Sequence, residues 1–195
     1  MTRRLPLLCL AASALFALAS VNVAAAQWAG AQRQGAPVTW DELEHTKWIA
    51  DGRDDAPRKV YVFMDANCGY CTKFWAESRP WVDSGKVQLR YVMVAVIAPT
   101  SARKAAAVMT DPDPARRLAR YERARATGVD AQDAVLEPAL GIPPAVGLQL
   151  EQHEGLMIAL GLRGTPGLVF RGLDGQMATR AGIATENLPL VLGSL

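Results

Sequence analysis

Two cysteines three residues apart, in Cys68-Gly69-Tyr70-Cys71, are the side chains of this sequence best suited to do chemistry. They follow a continuous apolar run, Lys59-Val-Tyr-Val-Phe-Met64, and precede Phe74 and Trp75, so the pattern predicts a buried strand giving way to a helix at the first thiol. On a first helical turn, residues i and i+3 bring two sulfurs together with little movement, as making and breaking a disulfide requires. The first sulfur also meets unpaired backbone N–H groups and the positive end of the helix dipole, about half an elementary charge. A thiolate stabilised in this way attacks near neutral pH and leaves readily, so Cys68 is assigned as nucleophile and Cys71 as the resolving thiol.

Two other uses of the pair are weaker. An inert disulfide closing so short a loop adds little stability through chain entropy. Zinc would need four ligands, and only His45 and His153, both from distant segments, could join the thiols, so no metal and no cofactor is expected. A second feature is Thr165-Pro166, inside Arg163-Gly-Thr-Pro-Gly167. A proline just ahead of a strand cannot donate to the ladder and belongs at an edge or a special turn. Placed against the cysteine turn, such a bend would leave the Thr165 backbone free to pair with an extended substrate; read alone, it is an ordinary turn. Asp65, at the strand end, could move protons during exchange or cap the turn.

Around these residues lie 195 positions, half of them hydrophobic, with 21 Lys+Arg against 19 Asp+Glu. That suits one ordinary domain with an appendage and excludes a disordered tail, a collagen-like or disulfide-dense chain, and a nucleic-acid binder working through bulk charge. Arg3-Arg4, the apolar stretch Leu5 to Val23 and the small residues Ala24-Ala25-Ala26 read as an export signal over 1–26, cut near Ala26, which places the mature chain in the periplasm. Cleavage removes two arginines and Cys9, leaving a formally neutral chain with Cys68 and Cys71 as its two thiols. An exported chain with one close cysteine pair is not using disulfides as general staples.

Residues 27–39 read as a flexible leader, and 40–195 as the folded domain. A short helix is expected over Trp40–Ile49, capped by Thr39. Beyond the cysteine helix, bent at Pro80 and stopped at Asp83-Ser84-Gly85, Val87–Ile97 reads as a second strand. Helices follow over Ser101–Thr110, from Asp113-Pro114 to Thr127, and over Val146–Leu160. Strands Gly167–Phe170 and Gln176–Ile183 flank the hairpin signal Asp174-Gly175, and Thr185–Leu192 closes as a helix. This order predicts an α/β domain with the first strands central in a mixed sheet and a helical insertion at about 101–160. Arg116, Arg117, Arg120, Arg123 and Arg125, with Glu122 among them, read as a solvated face whose burying side is Leu118 and Tyr121; no nucleic-acid binding is expected.

The motif Phe63-Met-Asp-Ala-Asn-Cys-Gly-Tyr-Cys71, with Lys73-Phe-Trp75, Arg79-Pro-Trp-Val-Asp-Ser-Gly-Lys-Val-Gln-Leu-Arg90 and Gly164-Thr-Pro166, resembles the catalytic domain of periplasmic DsbC/DsbG-type thiol:disulfide interchange proteins. The resemblance runs from about Trp40 to the C-terminus. It implies a thioredoxin fold with a helical insertion between the second and third core strands, Cys68 and Cys71 as the catalytic pair, and a cis Pro166 beside them. With Gly69, Tyr70 and Thr165, Pro166 would contact substrate. It further implies an enzyme, an oxidoreductase or isomerase, acting on cysteine-containing periplasmic clients and serviced by a membrane thiol-redox partner. Since these families carry an N-terminal dimerisation domain and here only residues 27–39 precede the match, a monomer is expected. The alternative function is a redox-independent chaperone or binding module on the same fold.

Overall fold

A computed structural model describes residues 37–195 apart from 130, 131 and 133; the expected export signal and most of the leader lie outside the described residues. The sheet grows from one apolar segment. In β2 (Arg58–Met64), Val60, Val62 and Met64 point into one hydrophobic cluster and Tyr61 and Phe63 into another, because successive strand side chains face opposite ways and both faces are covered. β3 (Val87–Met93) lies parallel to it, with Val60 opposite Leu89 and Val62 opposite Tyr91. A parallel neighbour needs a crossover, and α2 (Gly69–Glu77) and α3 (Arg79–Asp83) supply it. The two helices are broken at Ser78 where a single bent helix was expected; Ser78 is buried, its hydroxyl donating to the Trp75 carbonyl at 2.8 Å, and Pro80 falls in the first turn of α3.

Three helices then leave the sheet before the chain returns: α4 (Ser101–Met109), α5 (Pro114–Thr127) and α6 (Pro144–Ala159). Asp113 caps α5 by accepting from the Arg116 N–H at 3.0 Å, and Gly128 ends it at φ 70°, a left-handed conformation that glycine adopts without a Cβ penalty. β4 (Gly167–Arg171) runs antiparallel to β2, β5 (Met177–Ala181) pairs with β4, and α7 (Leu188–Leu192) closes the described chain after a 3-10 turn at Thr185–Asn187.

With Ile49–Asp51 as β1, the strand order is β1-β3-β2-β4-β5, and its first member corrects the expected Trp40–Ile49 helix. Thr39 does cap a helix, α1 (Trp40–His45), accepting from the Glu42 N–H at 3.2 Å. That helix ends at His45, and Ile49–Asp51 becomes β1, an edge strand antiparallel to β3. The chain leaves the helix at Thr46, which is extended, and at Ile49 pairing with Tyr91 of β3 replaces the helical turn expected there. The expected strand Val87–Ile97 also stops early: after Met93 the chain turns out of the sheet, drawn by buried Asp65, whose Oδ2 accepts the N–H groups of Val96 (2.8 Å) and Ile97 (3.0 Å).

Candidate functional site

The residues that could react gather at the end of β2. Asp65 turns the chain there: its Oδ1 accepts the Asn67 N–H at 2.8 Å and the Ser101 hydroxyl at 2.8 Å, while Asn67 donates to Ser101 and accepts from Lys104. With all these bonds satisfied, Asp65 acts as a brace between the cysteine turn and the 94–101 loop. A second hold comes from the insertion: the Tyr121 hydroxyl (2.6 Å) and the Arg125 guanidinium (3.2 Å) both donate to the Ala66 carbonyl. Cys68 follows as the N-cap of α2, the position where first-turn N–H groups lack helical partners.

Both thiols are free and buried, Cys68 4% and Cys71 2% exposed. The Cys68 sulfur accepts the Cys71 N–H at 3.2 Å and, while protonated, donates to the Thr165 carbonyl at 3.3 Å. Hydrogen bonding from the Cys71 thiol lowers the Cys68 thiol to about 6 from its ordinary 9; burial opposes this, and the Thr165 hydroxyl and the N–H groups of Cys71 and Tyr70 add to it. Burial pushes the Cys71 thiol strongly upward, and the Cys68 sulfur adds to the rise. One sulfur is thus ready as a thiolate and its neighbour is kept as a proton donor.

The Thr165–Pro166 peptide is cis and lies against Cys68, bringing together the two features read separately from the sequence. Among the described residues the Thr165 N–H has no hydrogen-bond partner, and its buried hydroxyl, though near enough to lower the Cys68 thiol, makes no full hydrogen bond. Gly69 and Tyr70 form the outer lip: a Cβ at Gly69 would meet nothing within 4 Å, and Tyr70 is 76% exposed. Two open grooves, of about 570 and 640 Å³, share Tyr70, Arg163, Gly164 and Thr165, and the smaller is lined by Cys68 itself.

The histidines sit elsewhere. His45 is exposed on α1, and His153 is buried on α6 with Nδ1 2.7 Å from the Met93 carbonyl, its pKa lowered chiefly by burial. Among the described residues no group of three His, Cys, Asp or Glu could hold a metal ion. Of the arginine-rich helix, Leu118 and Tyr121 are buried as expected, but so is Glu122, which stands behind the α2 turn with neither carboxylate oxygen partnered at hydrogen-bond distance. Burial raises its pKa to about 7, the Cys68 sulfur raises it further, and Thr72 and Arg125 only partly offset these. Its burial was available from spacing: Leu118, Tyr121, Glu122 and Arg125 fall at i, i+3, i+4 and i+7, one stripe of a helix.

No family model matches the chain. Two curated proteins do: the thiol:disulfide interchange protein DsbG of Pseudomonas aeruginosa is 43% identical over 155 residues, 79% of this chain and 58% of that protein. DsbG of Escherichia coli is 37% identical over 160 residues, 80% of this chain and 60% of that protein. The chain therefore spans about three-fifths of the length of these relatives. Among solved structures, a periplasmic thioredoxin-like protein from Salmonella enterica serovar Typhimurium superposes with a TM-score of 0.58 at 16% identity, covering 74% of this chain and 87% of its own. With the central β2 and β3, the cis-proline strand β4 and the helices on both faces, this makes the fold a thioredoxin fold with helices α4 to α6 inserted between β3 and β4.

Proposed function

We propose that this chain, a homologue of the DsbG thiol:disulfide interchange proteins over the part of their length that it spans, is a periplasmic thiol:disulfide oxidoreductase working through Cys68 and Cys71. The observation that carries the reading is the placement of the pair: Cys68 caps the start of α2, accepts the Cys71 N–H at 3.2 Å and lies against the cis Thr165–Pro166 turn, with Cys71 buried behind it, an arrangement that lowers the first thiol and raises the second. In the reducing direction the Cys68 thiolate attacks one sulfur of a client disulfide. A Cys68–client disulfide forms, the client's other sulfur leaves as a thiolate, and solvent protonates it. Cys71 then attacks the Cys68 sulfur as its proton passes, directly or through solvent, to the departing client sulfur; the mixed disulfide breaks, the Cys68–Cys71 disulfide forms, the client leaves as a dithiol, and two electrons have passed from the Cys68–Cys71 pair to the client. The reverse sequence oxidises a client dithiol.

Client approach is supported by the Thr165 backbone, whose free N–H and nearby carbonyl offer one strand-like pairing beside the sulfur, and by the exposed Gly69-Tyr70 lip. In this reading Thr165, Pro166, Gly69 and Tyr70 hold the client, and a membrane thiol-redox partner resets the pair. Cys71→Ser should convert the resolving step into a dead end. Incubated with a peptide carrying an internal disulfide, the variant should accumulate a one-to-one adduct on Cys68 that dithiothreitol releases, while the native chain returns free dithiol peptide. Absence of both adduct and product rejects the reading.

A further inference from the structure

The two grooves that meet at the Cys68 edge differ in chemistry. The smaller one is walled by Val96, Ile97, Met157, Ile158 and Leu162, of which Val96, Ile97 and Ile158 are exposed, and Arg163 stands at the edge it shares with the larger groove. Its one carboxylate, Glu154, is tied to the Ala95 N–H at 3.1 Å. The backbone of Val96 and Ile97 is held at this wall by N–H bonds to buried Asp65, and both side chains remain exposed. The larger groove lies across Tyr70 and Thr165 and is lined by Lys73, Glu77, Arg163 and Arg180. There Lys73 pairs with Glu77, which also accepts the Thr185 hydroxyl at 2.7 Å, so these two charges cancel. Arg163 and Arg180 are exposed and have no ion-pair partner among the described residues, which leaves the groove with uncompensated positive charge.

We infer that this site selects client segments whose cysteine is flanked by an apolar side chain on one side and an acidic side chain on the other. It rests on the exchange activity proposed for the same site. An extended client pairing with the Thr165 backbone lies across the shared edge, with its cysteine at Cys68, so its two flanks enter the two grooves. The apolar flank is drawn by burial against Ile97 and Ile158, the acidic flank by Arg163 and Arg180, whose forked guanidinium groups suit a carboxylate. A basic flank would meet like charge in the same place, so the groove discriminates as well as attracts.

The test uses ten-residue peptides with a single glutathione-capped cysteine, reduced by the dithiol form of the full chain. Leucine and phenylalanine stand on one side of the cysteine and two aspartates on the other, in both orders, with a matched set carrying lysines for aspartates. In one of the two orders the aspartate peptide should be reduced about tenfold faster than its lysine counterpart at low salt, with the gap closing at 0.5 M NaCl. In R163E/R180E the preference should invert, and in Arg180→Gln alone it should shrink; both substitutions fall on exposed side chains, and far-UV circular dichroism checks the fold. Rates within twofold for the two sets, or a ratio unaltered in the charge-reversal variant, overturn the inference while leaving the exchange activity standing. Failure to reduce any peptide removes the exchange activity as well.

Discussion

At the scale of single residues, the reactivity of Cys68 is a matter of which donors reach its sulfur. The Cys71 side chain is the largest contributor, ahead of the Thr165 hydroxyl and the N–H groups of Cys71 and Tyr70. Alkylation of the reduced protein by iodoacetamide, followed by mass spectrometry of the Cys68 peptide, should therefore show a rate inflection near pH 6, with Cys71 unmodified across the range. Cys71→Ala removes the strongest donor and should move the inflection up by about one unit or more, whereas Cys71→Ser, which keeps a hydroxyl, should hold it closer to the native value. An inflection near the ordinary 9 in the native chain would contradict the assignment of the nucleophile. The helix-start argument from sequence put the lowered thiol at Cys68 and gave the N–H groups as the cause; the Cys71 N–H does donate to that sulfur at 3.2 Å, but the Cys71 side chain is the larger cause.

At the scale of elements, α5 is the part that does more than its sequence suggested. It holds the cysteine turn through Tyr121 and Arg125 and places the buried Glu122 behind α2. An acid whose pKa rises from 4.5 to about 7 on folding binds an extra proton in the folded state between those values. Its contribution to stability is present below pH 4.5 and is lost as pH rises through 7. Glu122→Gln removes that loss, so relative to the native chain it should gain up to about 3 kcal/mol on going from pH 4 to pH 8 in urea unfolding. A difference that stays flat with pH would show that the carboxyl is not held neutral. What could be read in advance follows the same physics. β2, α2, the Asp113 cap and the Asp174-Gly175 hairpin were legible because local pattern and tertiary packing agree there. β1 was not, because three residues carry no period and owe their extended form to Tyr91, Arg90 and Leu89 across the ladder. The juxtaposition of Thr165 with Cys68, 97 positions apart, is a consequence of β4 pairing with β2 and has no local signature; the family resemblance supplied it.

At the scale of the whole molecule, redox state, protonation and stability are one linked system. A Cys68 pKa depressed from 9 to about 6 favours the folded dithiol above pH 9, and that advantage fades as pH falls through 6. Because the lowered pKa exists only in the dithiol form, it also sets how the reduction potential depends on pH. Below pH 6, reduction takes up two electrons and two protons, so the potential should fall by about 59 mV per pH unit. Above pH 6, Cys68 remains a thiolate and Cys71 alone takes a proton, so the slope should halve to about 30 mV per unit. Glu122 bends the curve slightly near pH 7, since the thiolate charge that raises its pKa is absent from the disulfide form. The potential can be followed against glutathione by the fluorescence of Trp75, buried one turn beyond Cys71. A break in slope near pH 6 would tie the thiolate to the energetics of the entire fold, and a single slope of about 59 mV through pH 8 would show that Cys68 titrates as an ordinary thiol and overturn its assignment as the ready thiolate.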